Sequence, residues 1–128
     1  MVKRILIADD NIGVRRSLRR LLESEPGFEV CEEVSDGVEV IERIQECNPD
    51  LLILDFAMPR MNGLQVAAAL QVMHVDIPIM LFTSYVDSIR EEQYRRIGIR
   101  SMVSKDSPIE VLLSEVHRLV GTARAASG

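Results

Sequence analysis

Five polar side chains in this sequence could do chemistry together if the fold brought them to one place. Each follows or ends a short apolar run: Asp9, Asp10, Asp55, Thr83 and Lys105. Two carboxylates about 4 Å apart repel by on the order of 4 kcal/mol at an effective dielectric constant near 20. Three carboxylates in one crevice therefore require a compensating cation, and carboxylates together with water are the ligands that Mg²⁺ usually takes.

The hydroxyl and the amine in this set suit the oxygen atoms of a phosphoryl group. A lysine ammonium is a mobile point charge, and a threonine hydroxyl can donate a hydrogen bond to a second oxygen. Asp55 could then attack phosphorus as a nucleophile and form an aspartyl phosphate. Each residue alone has an ordinary interpretation as a turn acid, a strand end or a surface lysine. Only their joint placement favours this chemistry.

The apolar runs predict the strands that would position these side chains. Continuous runs at residues 5–8, 51–54 and 79–82 are typical of strands buried on both faces of a parallel sheet. The run that begins at Phe28 alternates with charged residues, which predicts an edge strand. A fifth, short strand is predicted at residues 101–103.

Between the predicted strands, apolar residues recur at the spacing of an α-helix. Helices are predicted after Asn11, after Asp36-Gly37 and after Gly63, over residues 86–97, and over a last segment that begins at Pro108. The predicted core face of the last helix comprises Ile109, Leu112, Leu113, Val116, Leu119 and Val120. Five strands that alternate with five helices predict an α/β fold, a parallel sheet covered by helices on both faces.

Composition limits the function classes further. The 128 residues suit one domain, and the net charge of −5 gives no general attraction to nucleic acid or to an anionic membrane. No apolar run approaches the ~20 residues of a membrane span, and no secretion signal is evident, so a cytoplasmic location is expected. Cys31 and Cys47 form no Cys-x-x-Cys motif and are predicted to be two reduced thiols. His74 and His117 have no metal-ligand spacing.

The motifs together resemble the receiver domains of bacterial two-component response regulators. The matching pieces are Ile5 to Asp10, Leu54 to Pro59 with Asn62-Gly63, Phe82 to Ser84, and Ser104-Lys105. The resemblance covers residues 2–120 and implies a receiver domain at 1–121, with 122–128 as a frayed tail or the start of a linker. It implies a flavodoxin-like (βα)5 three-layer sandwich whose parallel five-stranded sheet has the order 2-1-3-4-5.

The resemblance also assigns roles by position. Asp55 is the implied phosphoacceptor, with a histidine kinase or phosphotransfer protein as the donor. Asp9 and Asp10 are the implied Mg²⁺ ligands, together with Asp55 and the backbone carbonyl of Ala57.

Two further positions concern the phosphoryl group and the response to it. Thr83 and Lys105 are implied to contact that group, and Thr83 is also a switch residue. The family's aromatic switch position is Met102 here. Because methionine is flexible, it can fill either switch position, which predicts altered or weaker coupling.

The implied activity is a signalling receiver that catalyses only its own phosphorylation and dephosphorylation. Its output would be a homodimer through the family's α4-β5-α5 face (residues 86–97, 101–103 and 109–120) or its α1/α5 face, formed by the helix predicted after Asn11 and the last helix. Alternatively, the output would be a DNA-binding domain absent from these residues. One alternative is a degenerate receiver that serves as an unphosphorylated scaffold. Another is a phosphohydrolase of the haloacid-dehalogenase type, which would need an acid where Ala57 stands.

Overall fold

The computed structural model describes residues 2–122, in which strands and helices alternate along the chain. The strands are β1 Lys3–Ala8, β2 Phe28–Val34, β3 Leu51–Leu54, β4 Ile79–Thr83 and β5 Ser101–Ser104. The helices are α1 Ile12–Glu23, α2 Gly37–Cys47, α3 Gly63–Val72, α4 Glu91–Arg96 and α5 Ile109–Val120. A turn of 3₁₀ helix at Val86–Ser88 precedes α4.

The sheet has the predicted order. Its five strands run β2-β1-β3-β4-β5, and every neighbouring pair is parallel. The predicted edge position of β2 is confirmed. The flavodoxin-like topology is therefore the one that the sequence resemblance implied.

Strand β3 shows why the three apolar runs are continuous. Leu52 and Leu54 belong to a core shared with α2, α3 and α4, whereas Leu51 and Ile53 belong to a second core shared with α1 and α5. All four side chains are at most 1% exposed. Since both faces of this strand are covered, no position along it is polar until the chain leaves the sheet at Asp55.

The loops at the carboxyl edge of the sheet are fixed by helix caps. Asn11 caps α1 by accepting a hydrogen bond from the Val14 N–H, and Asn62 forms a reciprocal capping box with Gln65 at the start of α3. A Cβ at Gly63 would lie 2.5 Å from the carbonyl oxygen of Asp55. Only glycine therefore allows α3 to begin this close to the end of β3.

Two predicted details of the helices were wrong. The helix predicted over residues 86–97 is interrupted, because Ile89 is extended and turns its side chain into the core at 5% exposure. Ile109 was predicted to face the core but is 55% exposed. It is the first residue of α5, and the buried face of that helix begins only at Leu112.

The prediction of two reduced thiols was also wrong. Cys31 of β2 and Cys47 at the end of α2 form a disulfide, with their Cα atoms 6.2 Å apart and a sequence separation of 16. The error arose because the pairing depends on how α2 packs back against β2, which no short motif records. The bond therefore closes the β2–α2 unit covalently.

No helix within residues 2–122 is long and apolar enough to cross a membrane. His117 is buried, with Nε2 3.0 Å from Glu25 Oε1 and Nδ1 2.7 Å from Thr122 Oγ1. The predicted tail at 122–128 lies outside the described residues except for Thr122.

Candidate functional site

The strand ends bring the five predicted side chains to one edge of the sheet: Asp9 and Asp10 follow β1, Asp55 follows β3, Thr83 ends β4 and Lys105 follows β5. β1 and β3 are in register at Ala8 and Leu54, so the next residues, Asp9 and Asp55, stand side by side. The Asp55 N–H donates to the Ala8 carbonyl at 2.9 Å. Parallel strands place their carboxyl ends at the same edge, which is where open α/β sheets form binding crevices.

Three carboxylates form a compact cluster there. One oxygen from each of Asp9, Asp10 and Asp55 lies within 4.8 Å of the others. Asp9 and Asp55 are only 2% and 5% exposed, whereas Asp10 is exposed. Burial of two like charges is unfavourable unless positive charge meets them.

Lys105 supplies one positive charge. Its Nζ lies 2.7 Å from Asp9 Oδ2 and 3.0 Å from Asp55 Oδ2, and its side chain is 19% exposed. Burial lowers the pKa of Lys105, but its hydrogen bonds with Asp9 and Asp55 and their negative charges outweigh this effect and raise the pKa above its usual value. The amine is therefore charged at neutral pH.

For Asp9, in contrast to Lys105, the effect of burial on the pKa outweighs that of its hydrogen bonds. Burial raises the pKa of its carboxyl above the usual value, and the hydrogen bonds from Lys105 and from the Asn11 N–H offset this only in part. The nearby charge of Asp55 raises the pKa further. The site thus holds more negative charge than Lys105 alone stabilises.

The donor set fits a hard divalent cation. Asp55 Oδ1 is buried and has no hydrogen-bond partner among the described residues, although the Oδ2 atom of the same carboxylate bonds to Lys105. A buried carboxylate oxygen without a donor is costly, and coordination of a cation removes that cost. Mg²⁺ is commonly held by one or two carboxylates with waters and phosphate oxygens.

The other predicted site residues form no hydrogen bond with the three carboxylates within the described part of the chain. Thr83 is fully buried at the end of β4, where its hydroxyl accepts a hydrogen bond from the Tyr85 N–H at 3.2 Å. Ala57 is partly buried, two residues beyond Asp55. Met102 pairs with Leu81 inside the sheet and packs, partly exposed, against the core of α2 and α3.

One residue beside the cluster was not predicted. Arg15 of α1 donates from Nη1 to the backbone carbonyl oxygen of Asp9 at 2.7 Å. Six positions separate it from Asp9, and an arginine next to the apolar Val14 in a predicted core helix was the available signal. That signal does not specify which group the guanidinium contacts.

The fold and the cluster agree with a family assignment. The family model of the response regulator receiver domain matches residues 5–117. This chain belongs to that family. The receiver domain is 40% identical over 121 residues to the response regulator MprA of Mycobacterium ulcerans, a match that covers 94% of this chain and 51% of that protein.

Other similar proteins carry different names. The receiver domain is 45% identical over 76 residues to a protein-glutamate methylesterase/protein-glutamine glutaminase of Pyrococcus abyssi, covering 59% of this chain and 20% of that protein. Among solved structures, a two-component response regulator of the LuxR family from Aurantimonas sp. superposes with a TM-score of 0.86 at 25% identity, covering 99% of this chain and 91% of that one. This chain spans about half of the length of the M. ulcerans regulator and about a fifth of the P. abyssi protein.

Proposed function

We propose that this receiver domain accepts a phosphoryl group on Asp55 from a phosphohistidine of a partner histidine kinase or phosphotransfer protein. Mg²⁺ would be held by Asp9, Asp10 and Asp55 and by the backbone carbonyl of Ala57. The observation that carries the proposal is Asp55 Oδ1, a buried carboxylate oxygen without a donor among the described residues, at the centre of an acidic cluster.

The transfer balances without any further reactant. A carboxylate oxygen of Asp55 attacks phosphorus, the bond from phosphorus to the donor imidazole nitrogen breaks, and that nitrogen takes a proton. Bound Mg²⁺ supplies positive charge to the phosphoryl oxygens. Lys105 exchanges its bond with Asp55 for one with a phosphoryl oxygen, and the Thr83 hydroxyl donates to another.

The response to phosphorylation is proposed to begin at Thr83. Its hydroxyl would turn toward the phosphoryl group, and Met102 would repack on β5. The α4-β5-α5 face includes the six-residue helix α4, in which Tyr94 is the only buried residue. Displacement of this helix should therefore require little free energy. Output would follow through a homodimer at this face or at α1/α5, or through a DNA-binding domain in a longer protein.

The test is the intact mass of the protein after incubation with Mg²⁺ and acetyl phosphate, beside the variant Asp55→Asn. We expect a gain of one phosphoryl group, about 80 Da, in the wild type. The gain should disappear in Asp55→Asn and when Mg²⁺ is removed by a chelator.

Phosphoramidate serves as a second donor, so that failure with one small molecule is not mistaken for failure of the site. No mass gain with either donor in the presence of Mg²⁺ would overturn the proposal and favour the unphosphorylated scaffold. A gain that persists in Asp55→Asn would show that another residue is the acceptor. Size-exclusion chromatography of the same samples would show whether phosphorylation changes assembly.

A further inference from the structure

The backbone of Asp9 is held by a side chain from α1. Arg15 Nη1 donates to the Asp9 carbonyl oxygen at 2.7 Å, and the Arg15 side chain is 14% exposed. A hydrogen bond from a charged donor at this distance is among the stronger kinds in a protein. It acts on the peptide bond that joins Asp9 to Asp10.

The guanidinium of Arg15 is itself held in place. Its Nε lies 3.4 Å from Oε1 of Glu33, an edge-strand carboxylate that is only 16% exposed; this is an ion pair without a hydrogen bond, since Nε has no hydrogen-bond partner among the described residues. Arg19 Nη1 donates to the other oxygen of Glu33 at 2.6 Å. Glu33 thus lies between two arginines of α1 and attracts the Arg15 guanidinium by its charge, while the directional bond of Arg15 is the one to the Asp9 carbonyl.

The hydrogen bond from Arg15 to the Asp9 carbonyl should affect the position of Asp10 more than that of Asp9. Asp9 has other restraints: its N–H donates to the Val34 carbonyl at 3.1 Å, and its Oδ1 accepts from the Asn11 N–H at 2.9 Å. The carboxylate of Asp10 makes no hydrogen bond or ion pair with the described residues. Its position therefore follows from the backbone, which Arg15 restrains, and from its own rotamer.

We propose that Arg15 is a positioning residue for the cation site, because it orients the Asp9–Asp10 peptide so that both carboxylates face the same point. This inference rests on the proposed Mg²⁺-dependent function. Loss of groups that orient metal ligands typically weakens metal affinity by 10- to 100-fold. Arg15 touches neither the cation nor the phosphoryl group in this role.

The test is a calorimetric titration of the unphosphorylated protein with Mg²⁺. We expect Arg15→Met to raise the Kd about tenfold or more. Arg15→Lys keeps one donor for the Asp9 carbonyl but loses the guanidinium nitrogen that lies beside Glu33. It should therefore give an intermediate Kd. Glu33→Gln leaves the guanidinium but removes its ion pair and one negative charge, and both losses should raise the Kd.

Arg16→Met is the matched control, since Arg16 is the exposed neighbour and forms no ion pair within the described part of the chain. It removes the same charge as Arg15→Met. Loss of positive charge alone strengthens cation binding, so weaker binding in Arg15→Met has the opposite sign to a charge effect. Phosphorylation by acetyl phosphate at saturating Mg²⁺ should recover in Arg15→Met, with only the half-saturating Mg²⁺ concentration increased.

The outcomes separate the two proposals. A wild type that binds no Mg²⁺ would overturn the proposed function. A wild type that binds Mg²⁺ beside a folded Arg15→Met with unchanged Kd would overturn the role of Arg15. Thermal unfolding of each metal-free variant reports folding independently, and if Arg15→Met does not fold, an unchanged Kd in both Arg15→Lys and Glu33→Gln is the overturning result.

Discussion

At the scale of single residues, the Lys105 ammonium group occupies a position between two buried carboxylates, where it supplies positive charge in place of a metal ion. It bonds to Asp9 and Asp55 at 2.7 and 3.0 Å. Because the pKa of Lys105 is raised, its stabilising contribution is complete below its ordinary value of 10.5 and is lost only as pH rises through the higher folded-state pKa. The same charge opposes any divalent cation that enters the cluster.

Removal of this charge should therefore have two opposite effects. We expect Lys105→Met to lower the free energy of unfolding at pH 7 by about 2 kcal/mol without metal, less than for a fully buried pair because Lys105 is partly exposed. Mg²⁺ should bind the variant more tightly than the wild type, since no ammonium group competes. Denaturant unfolding and calorimetry measure the two effects, and unchanged Mg²⁺ affinity would contradict the competition.

At the scale of elements, one acidic residue of α5 adds a polar contact to the apolar packing between α5 and β5. Glu115 accepts hydrogen bonds from the Arg118 guanidinium at 2.8 and 2.9 Å and from the Ser101 hydroxyl of β5. The bond from Arg118, followed by that from Ser101, lowers the pKa of Glu115 to about 2, although burial opposes this shift. An acid with a lowered pKa stabilises the fold when it is ionised.

The pH dependence of stability tests this contact. The contribution of Glu115 is fully present above its ordinary pKa of 4.5 and is lost as pH falls toward about 2. We expect Glu115→Gln to cost about 1–2 kcal/mol at pH 7, a value reduced for partial solvent exposure, and the unfolding curves of variant and wild type to converge toward pH 2. Glu110→Gln, an exposed change on the same helix, should leave stability within about 0.5 kcal/mol of the wild type at every pH.

Some of these elements and contacts could be predicted from the sequence, and others could not. The strands of Asp9 and Asp55 were predictable because burial on both faces leaves a continuous apolar run that ends where the chain leaves the sheet. The clustering of the two acids followed from parallel strand ends. The break at Ile89 and Arg90 was not predictable, because these two extended residues depend on the space that the core leaves for the Ile89 side chain. The contact of Arg15 was missed because a long side chain reaches many groups, and only the loop geometry selects the Asp9 carbonyl.

At the scale of the whole molecule, the disulfide joins an edge strand to a helix on the opposite side of the sheet from α1. Closure of a loop of this length, 16 positions, is expected to stabilise the fold by about 3 kcal/mol in the chain-entropy description. We expect dithiothreitol to lower the denaturant midpoint of the wild type. The double variant Cys31→Ser with Cys47→Ser should unfold at that lower midpoint with or without the reductant.

A midpoint that does not respond to dithiothreitol, in a sample whose thiol count confirms reduction, would contradict this contribution. The same comparison made with Mg²⁺ present would show whether the bond affects the acidic cluster. We expect no effect on Mg²⁺ affinity, because Cys47 lies at the end of α2 and Cys31 in the middle of β2, away from the carboxyl edge.

The bond also makes residues 31–47 a closed covalent ring within the linear chain. A protease that cuts once inside this ring, for example after the half-exposed Arg43, separates no fragments. The nicked protein keeps its full mass on a non-reducing gel and divides into two pieces only after reduction. Protease mapping of this edge therefore detects cleavage only in paired reduced and non-reduced lanes, whereas a cut elsewhere in the chain is visible in both.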